Sequence, residues 1–81
     1  MYIVELRSNA WEGPLYIDKG TTPQEPRHNI IAGVLTADKD DAYRFTERRA
    51  ALVEAHETIK DEGVRKLAGL SEVCWQVVQV D

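Results

Sequence analysis

The stretch that decides the fold is FTERRAALVEAHETIKDEG, residues 45–63, which has the apolar spacing of one amphipathic helix. At 100° per residue, Leu52, Ala55 and Ile59 fall on the same side of such a helix. His56 falls within this stripe as well. We therefore predict that this side is buried against the rest of the protein, with His56 as a semi-buried histidine.

The bounds of the helix are predicted from its capping residues. Thr46 is a suitable N-cap and Glu47 favours the helix dipole from the first turn, so the helix is predicted over residues 47–62. Gly63 can adopt the left-handed conformation that ends a helix. The segment that follows, residues 64–72, is open between an irregular link and a short helical turn.

The opposite side of the predicted helix carries an acidic line. Glu47, Glu54, Glu57 and Asp61 lie within roughly 40° of one line, and no Lys or Arg follows the three glutamates by four residues. One interpretation is a solvated surface that keeps a small protein in solution. The other is a recognition surface for a basic partner, because complementary charge speeds encounter and selects partners. The preceding turn adds three acids: Asp38, Asp40 and Asp41.

Two hairpin strands are predicted at the start of the chain. Residues 2–8 alternate, with Tyr2, Val4 and Leu6 on one face, which is typical of a strand. Gly13 then marks a turn, and residues 15–18 form a short second strand.

The remaining segments predict a loop and further strands. Residues 19–29 contain two prolines and are predicted to be a loop. Residues 30–35 are a candidate third strand with a bulge at Gly33, and the Val-rich residues 73–80 are a final strand. The order β-β-(β)-α-β defines a single α+β domain over residues 1–81, in which an antiparallel sheet of three to five strands packs on one amphipathic helix.

Composition narrows the range of partners. The net charge is −4, from 14 acids and 10 bases, so no surface for direct nucleic-acid binding is expected. No apolar run is long enough to span a membrane. The one cysteine cannot form an internal disulfide, which suits a reducing cytoplasm.

No catalytic or metal-binding constellation is present in the sequence. Cys74, His28 and His56 lack partners at the spacing of a nucleophilic pair or a metal site. Cys74 is expected to be an inert core residue. We therefore expect a protein without cofactor that is not an enzyme.

The two tryptophans have different expected roles. Trp11 lies in the predicted turn, where it either contributes to a binding surface or folds back over the sheet edge. Trp75 lies in the final strand and is predicted to be a core residue.

The chain resembles the very small proteins of phages and mobile elements in its N-terminal strand, its hairpin, the stretch DAYRFTERRAALVEA and its Val-rich last strand. Among these it is similar in size and acidity to anti-CRISPR inhibitors. The resemblance implies a bacterial host cytoplasm and stoichiometric binding to a CRISPR effector subunit, often at its basic DNA-binding surface.

Anti-CRISPR proteins share no motif, so the candidate partner-binding residues come from the charge pattern and from the exposed-turn tryptophan. They are Glu47, Glu54, Glu57, Asp61, Asp38, Asp40, Asp41 and Trp11. The alternative function is a structural or regulatory module that self-associates through its sheet. The oligomeric state is accordingly open between monomer and homodimer.

Overall fold

A computed structural model describes residues 1–19, 30–31 and 35–80 of the chain. It shows a five-stranded antiparallel sheet in the order β3-β4-β2-β1-β5 together with two α-helices, which confirms the α+β class. The elements are β1 (Tyr2–Ser8), β2 (Leu15–Ile17), β3 (Ile30–Ile31), β4 (Leu35–Thr36), a 3₁₀ turn (Lys39–Asp41), α1 (Arg48–Ile59), α2 (Glu62–Ala68) and β5 (Val73–Gln79).

The first strand lies between β2 and β5. The ladder between β1 and β5 is antiparallel and runs without interruption from Tyr2 opposite Gln79 to Ser8 opposite Val73. The ladder between β1 and β2 is shorter and pairs Glu5 with Tyr16. The prediction that the first and last strands lie in one antiparallel sheet is therefore confirmed, and the structure adds that they are neighbours.

The single strand predicted at residues 30–35 is wrong in detail. Two short strands occupy its ends, Ile30–Ile31 and Leu35–Thr36, and they pair with each other in antiparallel fashion. The second of them also pairs with β2. The predicted bulge at Gly33 lies outside the described residues, as does the predicted loop apart from Lys19.

The main core lies between the sheet and the helices. It contains the β1 side chains Val4 and Leu6, which are fully buried, together with Ala51 and Ala55 of α1 and Val64 of α2. The other face of the sheet has a smaller buried cluster of three residues: Ile3, Tyr16 and Ala42. The first strand is thus buried on both faces, whereas its alternation alone predicts burial on one.

The single helix predicted over residues 47–62 is divided in two. The first helix ends at Ile59, and Asp61 adopts an extended conformation as the N-cap of α2. Its carboxylate accepts hydrogen bonds from the backbone N–H groups of Gly63 (2.8 Å) and Val64 (3.2 Å). Gly63 is therefore inside α2 and is not a C-cap. Gly69 ends α2 instead, with the positive φ of 64° that glycine tolerates.

The first helix is also rotated relative to the predicted stripe. Its buried residues are Ala51, Ala55 and Thr58, whereas Leu52 is only half-buried. His56 is exposed, so its predicted semi-buried position is wrong. Small side chains on the contacting face let the helix approach the sheet closely. A helical wheel centred on the largest apolar residues does not predict this face.

The N-cap prediction for α1 is wrong as well. Glu47 occupies the N-cap position with extended backbone angles, and its side chain makes no capping hydrogen bond. Neither α-helix in the described part of the chain has the length and apolar character needed to cross a bilayer.

The final strand forms an edge of the sheet. Two of its residues, Cys74 and Trp75, were predicted to lie in the core and are less buried than expected. Cys74 is exposed at this edge, on the sheet face opposite the helices. Trp75 packs against the core but is only partly buried. The imidazole ring of His56 lies next to the indole ring of Trp75, with ring centroids 5.3 Å apart in an edge-on arrangement.

Candidate functional site

Three members of the predicted acidic line are exposed at α1. Glu54 and Glu57 lie on the helix, and Glu47 lies at its N-cap. No ion pair joins any of the three to another described residue. Among the described residues these three carboxylates are thus exposed and without an ion pair, which is the property that the recognition hypothesis requires.

Asp61 does not belong to this group. Its carboxylate is half-buried and caps α2 through the two hydrogen bonds described above. Because the helix breaks before it, Asp61 no longer continues the line of α1. Its role in the structure is to support the start of α2.

The acids of the turn are partly engaged in local structure. The Asp38 carboxylate accepts a hydrogen bond from the Asp40 backbone N–H at 2.9 Å and so begins the 3₁₀ turn. Asp41 pairs with Lys19, with 3.6 Å between the Lys19 Nζ and an Asp41 carboxylate oxygen. Asp40 is exposed and lies beside Lys19 and Arg44 in a shallow surface depression.

The acids of α1 and those of the turn border two different surface depressions. Glu54 borders a depression that it shares with Lys19, Tyr43 and Phe45. Lys19 borders the depression of Asp40 as well, so a lysine stands between the two acidic groups. A basic partner would therefore meet the acids of α1 and the acids of the turn as separate contacts.

Trp11 folds back onto α2, and its predicted part in a binding surface stays a prediction. Its indole N–H donates to the carbonyl oxygen of Leu67 at 3.4 Å, and the ring packs against the main core while remaining half-exposed. The ring also lines an open cleft of about 540 Å³ with Leu15 and Leu67. This contact anchors the turn between β1 and β2 to the helical layer.

Two of the three residues considered for catalysis are among the described residues. Cys74 and His56 are both exposed, and His28 lies outside the described residues. Within residues 1–19, 30–31 and 35–80, no group of three His, Cys, Asp or Glu side chains is placed to hold a metal ion.

A buried polar cluster lies on the sheet face opposite the helices, and it was not predicted from the sequence. Glu5 is 8% exposed and is surrounded by donors from three strands. One carboxylate oxygen accepts from Arg7 Nε at 2.8 Å and from Gln76 Nε2 at 3.0 Å, and the other accepts from the Tyr16 hydroxyl at 3.4 Å. These three partners of the carboxylate are all neighbours in the ladders of β1, β2 and β5.

These contacts shift two pKa values. Burial by itself would raise the pKa of Glu5, but the hydrogen bonds from Arg7 and Gln76 and the Arg7 charge together hold it below its ordinary value. Burial raises the pKa of Tyr16, and the adjacent Glu5 carboxylate raises it further. Glu5 is therefore ionised and Tyr16 neutral at physiological pH. The cluster is a structural ion pair of Glu5 with Arg7, and Tyr16 and Gln76 donate further hydrogen bonds to the Glu5 carboxylate.

The outer side of β5 is a further feature that the sequence did not reveal. The backbones of Met1 and Val80 exchange two hydrogen bonds, of 2.9 Å and 2.7 Å. Because alternate residues of an antiparallel strand bond to the same neighbour, the backbone groups of Val78, Gln76 and Cys74 also point towards β1. The groups that point away from the sheet belong to four residues: Val73, Trp75, Val77 and Gln79.

Comparison of the chain with protein-family models, with curated proteins and with solved structures gave no match.

Proposed function

We propose that this protein is a small non-enzymatic inhibitor that binds a basic surface of a larger protein, in the manner of anti-CRISPR proteins that bind a CRISPR effector subunit. The observation that carries the proposal is the pair Glu54 and Glu57, which are exposed on α1 without an ion-pair partner among the described residues. Glu47 adds a third exposed carboxylate at the N-terminal end of the same helix.

The mechanism follows from the electrostatics of these side chains. Carboxylates held on a rigid helix attract the Lys and Arg side chains that would otherwise contact nucleic-acid phosphates. A protein bound in this way occupies the surface and excludes DNA without a chemical step. Its binding weakens as salt rises, because a shorter Debye length screens exposed charge pairs.

The test uses the tagged protein as bait in lysate from a bacterium with an active CRISPR system. We expect an effector subunit to be retained at low salt and released as salt rises. The double reversal Glu54→Lys/Glu57→Lys should abolish retention, because like charges across an interface cost several kcal/mol. The matched control is Glu12→Lys/Glu72→Lys, which changes the net charge equally at two exposed acids outside α1.

Two results would contradict the proposal. Equal retention by wild type and the α1 double reversal would show that these carboxylates serve solubility alone. Equal loss in the control variant would show that net charge matters and that the position on α1 does not. The turn acids are tested in the same way with Asp40→Lys, since Asp38 and Asp41 also have local structural contacts.

The edge strand β5 favours the alternative function, a self-associating structural or regulatory module. Its outer backbone groups have no partner strand within the described residues. The two functions are compatible in space. Glu54 lies beside Tyr43 and Phe45, whereas the flank of α1 next to β5 is marked by the contact of His56 with Trp75.

A further inference from the structure

In the part of the chain that the structure describes, the outer edge of β5 lacks the features that protect edge strands from pairing. The strand has seven residues in a continuous ladder with β1, without a bulge, and its sequence VCWQVVQ contains no charged residue, proline or glycine. Soluble proteins ordinarily shield such an edge with lysines, prolines, bulges or a short strand. The opposite edge of the sheet, Ile30–Ile31, is short in this way.

We propose that β5 pairs in antiparallel fashion with β5 of a second copy, with the two-fold axis passing between the two Gln76 residues. The dimer then contains one continuous ten-stranded sheet. This inference rests on the alternative function, self-association through the sheet, and specifies its interface.

The register follows from the backbone groups that point outward. Val73, Trp75, Val77 and Gln79 are arranged symmetrically about Gln76, so a two-fold axis there places each of them opposite another outward residue. Trp75 faces Val77 of the second copy, and Val73 faces Gln79 of the second copy. All seven residues of β5 are then paired, and every outward N–H and C=O group finds a partner.

The side chains suit a second copy of this strand. On the helical face of the sheet, a half-buried Trp75 meets Val77 of the second copy, and aromatic residues pair favourably with β-branched residues across strands. On the other face, the two exposed Gln76 amides meet each other. The chain as a whole has a charge of −4, yet the pairing brings no like charges together because β5 is uncharged.

Charge also distinguishes this edge from the acidic surface of α1. An uncharged strand offers a basic partner no electrostatic attraction, whereas Glu54 and Glu57 do. A second β5 satisfies the outward backbone groups without requiring charge.

The size of the contact predicts a reversible dimer. A seven-residue strand is about 23 Å long. Pairing along that length, extended by the adjacent flank of α1, gives an interface at the lower end of the range for specific complexes. We therefore expect a dissociation constant in the micromolar range, seen as a rise of the weight-average mass from about one to about two chains between roughly 1 µM and 1 mM.

The register is tested by disulfide formation. In Cys74→Ser/Gln76→Cys, the two introduced thiols lie opposite each other at the axis, where Cα atoms of a non-hydrogen-bonded pair are about 4.5 Å apart and can form a disulfide. In the matched control Cys74→Ser/Gln79→Cys, the two thiols are separated by six residues of strand, about 20 Å, and cannot. Mild oxidation should convert most of the first variant to covalent dimer and little of the second.

The strength of the interface is tested with Gln76→Lys. This substitution places two ammonium groups across the axis, while each can still contact its own Glu5, the present partner of Gln76. We expect at least a tenfold increase in the dimer dissociation constant by analytical ultracentrifugation. The control Thr46→Lys adds the same charge at an exposed position away from β5 and should leave the constant unchanged.

The outcomes separate this inference from the functions on which it rests. A protein that stays monomeric to about 1 mM overturns both the interface and the self-association alternative. A dimer in which Gln76→Cys fails to form the disulfide overturns the β5 interface alone. Binding of a basic partner through Glu54 and Glu57 is measured independently with the α1 double reversal.

Discussion

Replacement of Asp61 by alanine tests whether this residue supports α2 or contributes to an acidic binding surface. The substitution removes the carboxylate that accepts hydrogen bonds from Gly63 and Val64. Loss of an N-cap acceptor costs about 0.5–2 kcal/mol. We expect the upper half of this range, because α2 has only seven residues and because the Val64 side chain that it positions is fully buried. Each kcal/mol should lower Tm by about 4–8 °C in a domain of this size.

Urea unfolding followed by circular dichroism measures the free energy of unfolding for each variant. Asp61→Asn keeps a side-chain oxygen at the N-cap and should retain most of the stability. Glu57→Ala, which removes an exposed carboxylate without a described partner, should stay within about 0.5 kcal/mol of wild type. If Asp61→Ala unfolds like Glu57→Ala, the carboxylate does not cap α2 and the reasoning is refuted.

Three further changes test the packing, the end of α2 and the buried ion pair. Ala51→Leu should lower the free energy of unfolding by about 1–3 kcal/mol in urea titrations, because Ala51 is fully buried against the sheet; a neutral result would contradict the rotation of α1. An added Cβ would meet no described atom within 4 Å at either Gly69 or Gly13, so Gly69→Ala should cost about 1–3 kcal/mol because of its positive φ alone, and Gly13→Ala should be nearly neutral; equal effects would refute the helix ending. The stability advantage of wild type over Glu5→Gln should be constant above about pH 5 and shrink as pH falls below about 4.3, because the lowered pKa of Glu5 stabilises the fold only while the carboxylate is ionised; a pH-independent difference would contradict the shift.

The strands at the two ends of the chain could be predicted because their patterns are local. Alternation over residues 2–8 and the Val-rich run over residues 73–80 each indicate a strand without reference to the rest of the chain. The break between α1 and α2 had a local signal too, since Asp61 followed by Glu62 is a typical helix start. This signal was overlooked because the apolar spacing continues across the break. A helical wheel drawn over residues 47–62 therefore placed Asp61 in line with the acids of α1, although Asp61 belongs to α2.

The orientation of α1 depended on packing that the wheel does not represent. Ala51 and Ala55 contribute little hydrophobicity, yet they define the contacting face because small side chains permit close approach to β1 and β5. A helical wheel centred on the larger apolar side chains instead placed Leu52 at the middle of the buried face, although Leu52 is half-exposed.

The polar cluster around Glu5 could not be predicted from any window of sequence. Its partner Gln76 is 71 residues away along the chain, and the two meet only because of the register between β1 and β5. The set of β5 residues whose backbone groups face outward could not be predicted from local sequence either. Which residues face β1 and which face away depends on the phase of the ladder, which the hydrogen bonds between Met1 and Val80 define.

The β1–β5 ladder also has a consequence for the rate of folding. Its bonds join residues up to 79 positions apart, so the longest ladder of the sheet closes the largest loop in the described chain. Loop closure costs entropy before the contacts repay it, and domains dominated by distant strand pairing fold in milliseconds to seconds. The hairpin of β1 and β2 can form early, and β5 joins β1 late. Until it does, β1 itself is the open edge, with Val4 and Leu6 incompletely covered, and this transient state is the one most exposed to aggregation.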